Sequence, residues 1–458
     1  MLLTLSAEAN VRLPAVIGDN MVLQQKSSVK IWGWADPGEK VIITASWNNK
    51  TDSVKTNENG KWLLAVQTPS AGGPFAVTIK GYNTIVLQNV LVGEVWICSG
   101  QSNMEMNYYW GLPQMKEDFP SAANTNIRFF SVPRATAQTA QERGEGSWAI
   151  CDSNTVKSFS AVAYYFGRNL NGALNIPIGL IHASWGGTPA EAWTPAEEIN
   201  SNSVLKEAAQ KLKPASGWPI SSGYTYNAMI APLLNYSIAG AIWYQGEANT
   251  GTASTYQQLL TTLIETWRRK WAMDFPFYYV QLAPFAYGNK NIAALLREAQ
   301  TKTLALRKTG MAVITDICGD TANIHPKNKR DVGYRLANLA LTDTYGQPID
   351  GAKSPLFASM NANKNEVTLS FINAPNGLLQ KGAAITGFYV AGSDKNFYPA
   401  QAKAKGNAII VWSKAVKEPV AVRYAFSNTA VGNVFSKEGL PLAPFRTDDW
   451  EVDTSSVK

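Results

Sequence analysis

Five short apolar segments alternate with helical patterns in the middle of the chain, and this alternation limits the possible folds more than any other feature. The segments read LVGEVWICS, IGLIHAS, AGAIWYQ, FYYVQLA and MAVITDI. After the third, TYQQLLTTLIETWRRKWA places Leu259, Leu263 and Trp267 on one helical face. Apolar strands separated by helices form a parallel sheet that helices cover on both faces. The sequence therefore predicts an α/β domain with a five-stranded parallel sheet at residues 92–348.

The segments on either side of this domain have the alternating pattern of β-strands. Near the N-terminus, SSVKIWGWADPGEKVIITASW alternates apolar and polar residues and breaks at a DPGE turn. Near the C-terminus the strand-like runs are NEVTLSFI, GFYVAG, AIIVWS and PVAVRYAF. A chain of 458 residues is too long for one compact core. We therefore expect a β-sandwich-like domain at 10–91, the α/β domain at 92–348 and a β domain at 349–458.

The charge and hydropathy of the chain argue against two classes of partner. Lys and Arg outnumber Asp and Glu by 41 to 34, but the basic residues are scattered and form no tract suited to nucleic acid. The net charge of +7 mildly favours an anionic substrate. No apolar stretch approaches the roughly 18 residues of a membrane span. We predict neither a nucleic-acid partner nor a membrane span, and the sequence specifies no oligomeric state.

The N-terminus and the cysteines bear on the compartment of the protein. The start, MLLTLSAEANVRLP, resembles the end of a signal peptide without its basic front, which favours a periplasmic or secreted protein over a frayed cytosolic start. Cys98, Cys151 and Cys318 show neither CxxC nor zinc spacing. They are most simply buried free thiols, although one disulfide is also compatible with the sequence.

Polar residues suited to acyl transfer follow four of the five predicted strands. In an open parallel sheet the ligand site lies beyond the carboxyl ends of the strands. In chain order these positions hold Gly100-Gln101-Ser102-Asn103, Ser184-Trp185-Gly186-Gly187-Thr188, Gln245-Gly246-Glu247-Ala248-Asn249, and then Asp316, Asp320 and His325. The sequence thus predicts that these groups meet at one edge of the sheet.

Acyl transfer by a serine needs a nucleophile and a base that takes its proton. Ser102 is the candidate nucleophile, although a lone serine in GQSNM is otherwise an ordinary turn residue. Of the two histidines, His182 lies in an apolar run and is expected to be structural. His325 precedes Pro326, a residue type favoured at the start of a helix, and is either the base or a plain loop histidine. Met104 replaces the second glycine of the GxSxG elbow, which argues against an ordinary α/β-hydrolase.

The same chemistry needs hydrogen-bond donors for the negatively charged oxygen of the tetrahedral intermediate, the oxyanion. The backbone N–H groups of Ser102 and Gly187 are candidates, together with a side-chain amide from Gln245 or Asn249. The alternative interpretation is structural, because two adjacent glycines also form ordinary tight turns.

Four segments of the chain resemble the sialate O-acetylesterases of bacteria and animals. These enzymes are SGNH hydrolases and are related to some acetylxylan esterases. The segments are GEVWICSGQSNMEM, SWGGTPAEAW, YNAMIAPLLNYSIAGAIWYQGEAN and IHPKNK, in that order between about residues 93 and 335. The resemblance implies a flavodoxin-like SGNH hydrolase core flanked by β regions at both ends.

The resemblance also implies roles for individual residues. Ser102 matches the family nucleophile and His325 the general base. Gly187, or its neighbour Gly186, matches the glycine whose N–H binds the oxyanion. Gln245 stands where general SGNH enzymes carry an asparagine donor. The remaining motif positions, which would line the site, are Gln101, Glu247 and Asn249. Neither a cofactor nor a metal ion is implied.

One position departs from the family pattern. SGNH enzymes often carry an aspartate two or three residues before the catalytic histidine, where this chain has Asn323 and Ala322. The Nδ1–H group of His325 therefore needs another acceptor. A loop carbonyl or the Asn323 side chain could serve, and Asp320 or Asp316 could instead fold back towards the ring.

The resemblance implies a serine esterase that removes O-acetyl groups from carbohydrate. The first candidate substrate is 9-O-acetylated sialic acid, and acetylated xylan or another glycan is the alternative. Two alternatives from other classes are a carbohydrate-binding protein without activity and a glycosidase that uses Glu247.

Overall fold

The first region of the described chain is built mainly of antiparallel strand pairs. The computed structural model describes residues 10–457, so residues 1–9, on which the export prediction rests, lie outside the described part. The strands are β1 (Val22–Gln24), β2 (Ser28–Trp34), β3 (Lys40–Ala45), β4 (Thr51–Lys55), β5 (Lys61–Gln67) and β6 (Gly72–Lys80). Strand β2 pairs with β5, and β3 pairs with both β4 and β6. In β3 the buried Val41, Ile43 and Ala45 alternate with more exposed residues, as the sequence pattern predicted.

One long strand, β7 (Thr84–Gly100), belongs both to this region and to the central sheet. Its first half pairs antiparallel with β6, and residues Leu91–Gly93 pair parallel with β1. Its second half lies in the middle of the parallel sheet, and every residue from Val90 to Gly100 is buried. The predicted boundary between residues 91 and 92 therefore falls inside a continuous strand.

The central sheet contains all five predicted strands and two more. Besides β7 its strands are β8 (Asn124–Ser131), β9 (Trp148–Cys151), β10 (Ile178–Ser184), β11 (Gly240–Tyr244), β12 (Phe277–Val280) and β13 (Thr309–Ala312). The strand order is β13-β12-β11-β7-β10-β8-β9. All neighbours from β13 to β8 are parallel, and β9 is antiparallel at the edge. The α/β fold with a parallel sheet is confirmed.

Nine α-helices and several single turns connect these strands within the described residues. The helices are α1 (Ser102–Glu105), α2 (Pro113–Asp118), α3 (Thr155–Ser158), α4 (Ala161–Leu174), α5 (Ala196–Asn200), α6 (Ser203–Gln210), α7 (Tyr256–Trp271), α8 (Ile292–Thr303) and α9 (Lys329–Asp343). Short 3-10 segments span Tyr108–Trp110, Phe119–Ser121, Ala190–Trp193, Ala231–Leu233 and Glu247–Thr255, and a π-helical turn spans Tyr226–Ile230. None of the described helices is long and apolar enough to span a membrane.

Helices cover both faces of the central sheet, as the alternation predicted. Successive side chains of a strand point to opposite faces. Ile97 and Trp243 accordingly pack in the core that contains α7 and α8, whereas Cys98 and Ile242 pack in the core that contains α4 and α9. The three cysteines are buried and free, so no disulfide joins them.

Helix α9 begins later than the sequence suggested. Pro326 lies in the preceding loop, and the first helical residue is Lys329. Asn328 caps the helix because its side-chain oxygen accepts a hydrogen bond from Asp331 N–H at 3.1 Å. His325 is therefore on an irregular loop rather than at a helix start. This loop places the imidazole at the edge of the sheet where β7 ends.

The C-terminal region is a second antiparallel β region. Its strands are β14 (Leu356–Asn363), β15 (Glu366–Ile372), β16 (Leu378–Gln380), β17 (Phe388–Ala391), β18 (Phe397–Pro399), β19 (Gln401–Lys405), β20 (Ala408–Trp412), β21 (Ala421–Tyr424), β22 (Val434–Ser436) and β23 (Phe445–Arg446). They form sheets in the orders β14-β15-β20-β19, β18-β17-β21-β23 and β16-β22 around their own apolar core. Arg446 forms an ion pair with Glu298 of α8 at 3.0 Å, which anchors this region to the central domain.

A buried carboxylate joins the N-terminal region to the central domain. Glu94 of β7 is 5% exposed. It accepts hydrogen bonds from Gln24 Nε2 at 3.0 Å, Gln25 Nε2 at 2.7 Å and Tyr345 O–H at 2.9 Å. Tyr345 follows α9, so three distant parts of the chain converge on one side chain.

Replacing Glu94 by Ala should lower the free energy of unfolding by about 3 kcal/mol, because three buried donors lose their acceptor. Urea unfolding followed by tryptophan fluorescence measures this change. Glu58→Ala is the matched control, since Glu58 is exposed, and it should change stability by less than about 0.5 kcal/mol. Equal stability of the two variants would contradict the bridging role of Glu94.

Candidate active site

Ser102 is placed at the sheet edge by a sharp turn at the end of β7. Gly100 has φ of +139°, and a Cβ atom there would lie 2.1 Å from Tyr244 O. Only glycine tolerates this backbone conformation and this close approach. Gln101 N–H then donates to Tyr244 O at 3.0 Å. As a result α1 begins directly above the sheet, with Ser102 as its first residue.

The structure brings the predicted nucleophile and base together. His325 Nε2 lies 2.9 Å from Ser102 Oγ. The histidine loop is held by Asn103, whose Nδ2 donates to Ile324 O at 3.1 Å. The ring of Trp110 packs edge-on against the imidazole, with centroids 5.3 Å apart. With the ring proton on Nδ1, Nε2 is free to accept the proton of Ser102.

The aspartates considered as partners of His325 are used elsewhere. Asp316 forms two hydrogen bonds with the guanidinium of Arg335, each 2.7 Å long. Asp320 Oδ1 accepts from Ala322 N–H at 2.8 Å. The side-chain oxygen of Asn323 accepts from the backbone N–H of His325 at 2.9 Å and not from its ring. Within residues 10–457, no hydrogen bond joins Nδ1 to a protein acceptor.

A buried ionic network lies beneath the Ser102–His325 pair. Lys329 Nζ donates to Asn103 Oδ1 at 2.6 Å, and Asn103 Nδ2 also donates to Glu247 Oε1. Burial lowers the pKa of Lys329 to about 7, although the nearby Glu247 opposes this shift. Burial likewise raises the pKa of Glu247. Glu247 thus belongs to the layer that supports the site.

The pKa of His325 is lowered from its ordinary value. Partial burial is the main cause, followed by the positive charges of Lys329 and Lys327. Both effects disfavour the imidazolium form. No carboxylate is among the causes, so nothing in this environment raises the pKa in compensation. His325 therefore stays neutral, and able to accept a proton, to lower pH than an ordinary histidine.

Two backbone N–H groups are available to an oxyanion. The N–H of Ser102 is in the first turn of α1 and has no partner within the helix. Gly187 has φ of +76°, and its N–H donates to no described residue. Gly186 is different, because its N–H donates to Glu105 Oε2 at 3.1 Å. Of the two neighbouring glycines considered, Gly187 is the one with a free donor.

The amides of Gln245 and Asn249 do not fit the predicted donor role. Gln245 is 1% exposed, and its Nε2 donates to Asn249 Oδ1 at 2.8 Å and to Thr188 O at 3.3 Å. Its Oε1 accepts from Tyr256 O–H at 2.7 Å. Asn249 Nδ2 donates to Glu191 Oε2 at 2.8 Å, and Asn249 Oδ1 also accepts from Ala190 N–H at 2.9 Å. Both amides are saturated in a buried network that supports the loop carrying Gly187.

Ser102 and His325 open into a cavity of about 520 Å³. The predicted residues Gln101, Gly186, Gly187 and Glu247 also line it. The sequence analysis did not identify the walls, which include Glu105, Trp110, Arg134, Lys213 and Trp218. A larger cavity, of about 880 Å³, lies between Arg12, Trp34 and the loop at residues 132–145. Its lining contains no serine, cysteine or histidine and thus no candidate nucleophile or base of the kind found in the first cavity.

The wall residues that were missed carry charge and aromatic surface. Trp110 and Trp218 are 39% and 52% exposed. Arg134 forms an ion pair with Glu105 and lies over the ring of Trp185. Lys213 is exposed and forms no ion pair with any described residue. No sequence pattern distinguishes these wall residues from other loop residues. Asn103 and Lys329 were also missed, but their positions in the sequence could have identified them. Asn103 directly follows Ser102, and Lys329 lies four residues after His325.

Potential metal ligands are not clustered in the described part of the chain, where no three His, Cys, Asp or Glu side chains form a group that could hold an ion.

The second histidine, His182, is next to a serine of the same strand. Its Nε2 lies 2.6 Å from Ser184 Oγ. Burial, together with the charge of Arg134, lowers the pKa of His182 to about 4. This is consistent with its predicted structural role.

Three comparisons place the chain among known proteins. The family model described as carbohydrate esterase, sialic acid-specific acetylesterase, matches residues 92–342. Sialate O-acetylesterases of Homo sapiens and Pongo abelii are 32% identical over 381 residues, covering 75% of this chain and 72% of each relative. A solved carbohydrate acetylesterase from Xanthomonas citri is 34% identical with a TM-score of 0.88, covering 96% of this chain and 100% of that one.

Replacing Lys329 by Met should raise the pKa of His325, because a positive charge that disfavours the imidazolium is removed. An NMR titration of the ring protons measures this directly, since the chain has only two histidines. The His182 resonance, with a pKa of about 4, serves as an internal reference.

Lys327→Met is the matched control for that titration. Lys327 is exposed, so its effect on the pKa of His325 should be smaller and should fade with added salt. A His325 pKa that is unchanged or lower in Lys329→Met would contradict the electrostatic account.

Proposed function

This chain belongs to the carbohydrate esterase family of sialic acid-specific acetylesterases, and we propose that it removes O-acetyl groups from sugars through an acetyl-enzyme on Ser102. As a family member it is a carboxylic ester hydrolase. The observation that carries the proposed mechanism is the 2.9 Å contact between Ser102 Oγ and His325 Nε2 at the floor of an open cavity.

In the first half of the reaction Ser102 Oγ attacks the acetyl carbonyl carbon while His325 Nε2 takes the hydroxyl proton. The carbonyl oxygen becomes an oxyanion and receives hydrogen bonds from the N–H groups of Ser102 and Gly187. The C–O bond to the sugar then breaks, and the imidazolium returns its proton to the sugar oxygen. The free sugar alcohol leaves, and the acetyl group remains on Ser102.

In the second half a water molecule attacks the acetyl-enzyme. His325 takes one proton from this water and returns it to Ser102 Oγ as the tetrahedral intermediate breaks down. Acetic acid leaves with the second proton of the water and ionises in solution, and the starting enzyme is restored. In this proposal Ser102 and His325 act as a pair, because Asp316 and Asp320 are bound to other groups. No step requires a cofactor.

Replacing Ser102 by Ala should reduce acetate release to below about 1% of the wild-type rate, since removal of the nucleophile leaves only the donors and binding groups. Acetate released from 9-O-acetylated sialic acid and from 4-nitrophenyl acetate measures the effect. Ser131→Ala, a change at an exposed serine, is the control that should keep wild-type activity. Sugar binding without any acetate release by the wild-type chain would instead support an inactive carbohydrate-binding protein.

We propose 9-O-acetylated sialic acid as the substrate, and acetylated xylan or another neutral glycan as the alternative. The relatives described as sialate O-acetylesterases support this choice. The cavity also supports it, because the unpaired Lys213 can attract a carboxylate. The exposed faces of Trp110 and Trp218 can pack against a sugar ring of either class.

Lys213→Ala should raise KM for 9-O-acetylated sialic acid, by about twofold to fivefold for the loss of one exposed charge contact. It should leave KM for acetylated xylan unchanged, because a neutral glycan gains nothing from the charge. Lys211→Ala, two residues away and paired with Glu207, is the control. An equal effect on both substrates, or a higher kcat/KM for acetylated xylan in the wild type, would favour the neutral glycan.

A further inference from the structure

The C-terminal β region is linked to the loop of His325 by the segment at residues 284–291, which lies between β12 and α8. Two successive N–H groups of this segment donate to different parts of the chain. Phe285 N–H donates to Asn428 O in the C-terminal region at 3.0 Å. Ala286 N–H donates to Thr321 O in the loop of His325 at 2.9 Å. The segment therefore connects the C-terminal region directly to the loop that carries the proposed base.

We propose that Asn428 is a positioning residue of the esterase, which holds His325 in place for proton transfer through the segment at 284–291. His325 lies four residues after Thr321 in the same loop. The inference rests on the proposed serine esterase function, because it requires a base that must reach Ser102. It gives the C-terminal region a role in the geometry of the active site, beyond its ion pair with α8.

The side chain of Asn428 binds both the segment and the helix that follows it. Asn428 is 8% exposed. Its Oδ1 accepts from Ala293 N–H in the first turn of α8 at 3.0 Å, and its Nδ2 donates to Asn289 O at 2.5 Å. A backbone N–H needs an acceptor and a carbonyl needs a donor, so these two partners fix the orientation of the amide. Together with the backbone contact to Phe285, one residue thus makes three hydrogen bonds to this part of the chain.

Residues near the end of the described chain bind the same segment. Val457 N–H donates to Gly288 O at 2.8 Å, and Lys290 N–H donates to Ser455 O at 2.9 Å. Most of residues 286–290 are exposed. Hydrogen bonds to the C-terminal region, more than apolar burial, therefore fix the position of the segment.

The loop of His325 is held at two points as a result. On the side of the active site, Asn103 Nδ2 donates to Ile324 O at 3.1 Å. On the opposite side, Ala286 N–H binds Thr321 O. Residues 321–325 form no helix or strand that could hold the loop by itself. When the contact at Thr321 is lost, the loop can rotate about Ile324, and the imidazole spends less time within reach of Ser102.

A base that is displaced from its proton donor lowers the rate of the chemical step. General base catalysis needs a contact within hydrogen-bond reach, and a misplacement of about 1 Å caused by a remote mutation can cost about 10²-fold in rate. Substrate binding should change much less, because walls of the cavity such as Trp110, Arg134 and Trp218 belong to other loops. Loss of the Asn428 contacts should therefore lower kcat and leave KM nearly unchanged.

The central test is Asn428→Asp, which keeps an acceptor for Ala293 N–H but replaces the Nδ2 donor by an oxygen that repels Asn289 O. The variant should fold, because a carboxylate is favoured beside the first turn of a helix. With 4-nitrophenyl acetate as substrate, kcat should fall by about tenfold to a hundredfold while KM stays within about threefold.

Asn433→Asp is the matched control in the same region. Asn433 Oδ1 accepts from Thr386 N–H at 2.9 Å, and its Nδ2 donates to Lys381 O at 2.9 Å and to Ala384 O at 2.7 Å. The change removes the same kind of donor and adds the same charge, but these partners all lie within the C-terminal region. The control should keep kcat within about twofold of wild type, even where its thermal midpoint falls as far as that of Asn428→Asp.

Two further measurements separate positioning from general destabilisation. The NMR ring resonances of His325 should shift in Asn428→Asp, whereas those of His182, which lies in β10, should not. Ala286→Pro removes the N–H that binds Thr321 without changing the C-terminal region. It should cause a similar fall in kcat, and it decides the question if Asn428→Asp does not fold.

The possible outcomes are distinct. A kcat within about threefold of wild type in Asn428→Asp overturns this inference, and so does the same result in Ala286→Pro. An equal loss of kcat in Asn433→Asp, or unchanged His325 resonances in Asn428→Asp, would show general destabilisation and would also overturn it. Failure of the proposed function would look different, because the Ser102→Ala variant would then keep the wild-type rate.

Discussion

The side chain of Asn103 joins the loops that make up the active site. It binds the Lys329 ammonium, the Glu247 carboxylate and the Ile324 carbonyl, and it is completely buried. A charged pair in such a place is costly unless every member has partners. Asn103 supplies one hydrogen bond to Lys329 and one to Glu247, whose other carboxylate oxygen, Oε2, has no partner. The same hydrogen bonds fix the distance between the loop of Ser102 and the loop of His325. Stability of the buried charges and geometry of the site therefore depend on one amide.

The sheet provides the second constraint. Because β7 lies in the middle of the parallel sheet, the turn at Gly100 is held on both sides, by Ser184 of β10 and by Tyr244 of β11. Neighbouring loops from β10 and β11 meet this turn, and the buried amides of Gln245 and Asn249 keep them together. The floor of the site is thus built from backbone at strand ends, and the cavity walls come from the surrounding loops.

The sequence predicted the parts of this structure that depend on local pattern. Apolar runs identified the five strands, and the resemblance to sialate O-acetylesterases is confirmed by the family match. Strand β8 was missed because NTNIRFFS mixes polar residues with a short apolar core. The direction of the Gln245 amide could not be predicted, since it depends on Thr188 and Tyr256, which are distant in sequence. Burial of Lys329, the first residue of α9, was also missed, because lysine is usually exposed and its partner Asn103 is distant in sequence.

The environment of His325 has a consequence for an enzyme that produces acid. Each ester that is cleaved yields acetic acid, which ionises near neutral pH and releases a proton into the surrounding solution. A base with an ordinary pKa would be progressively protonated by this product in a weakly buffered space. Burial and the charge of Lys329 keep the His325 imidazole neutral as acid accumulates. As the base of the proposed mechanism, His325 thus stays able to accept a proton to lower pH than an ordinary histidine would.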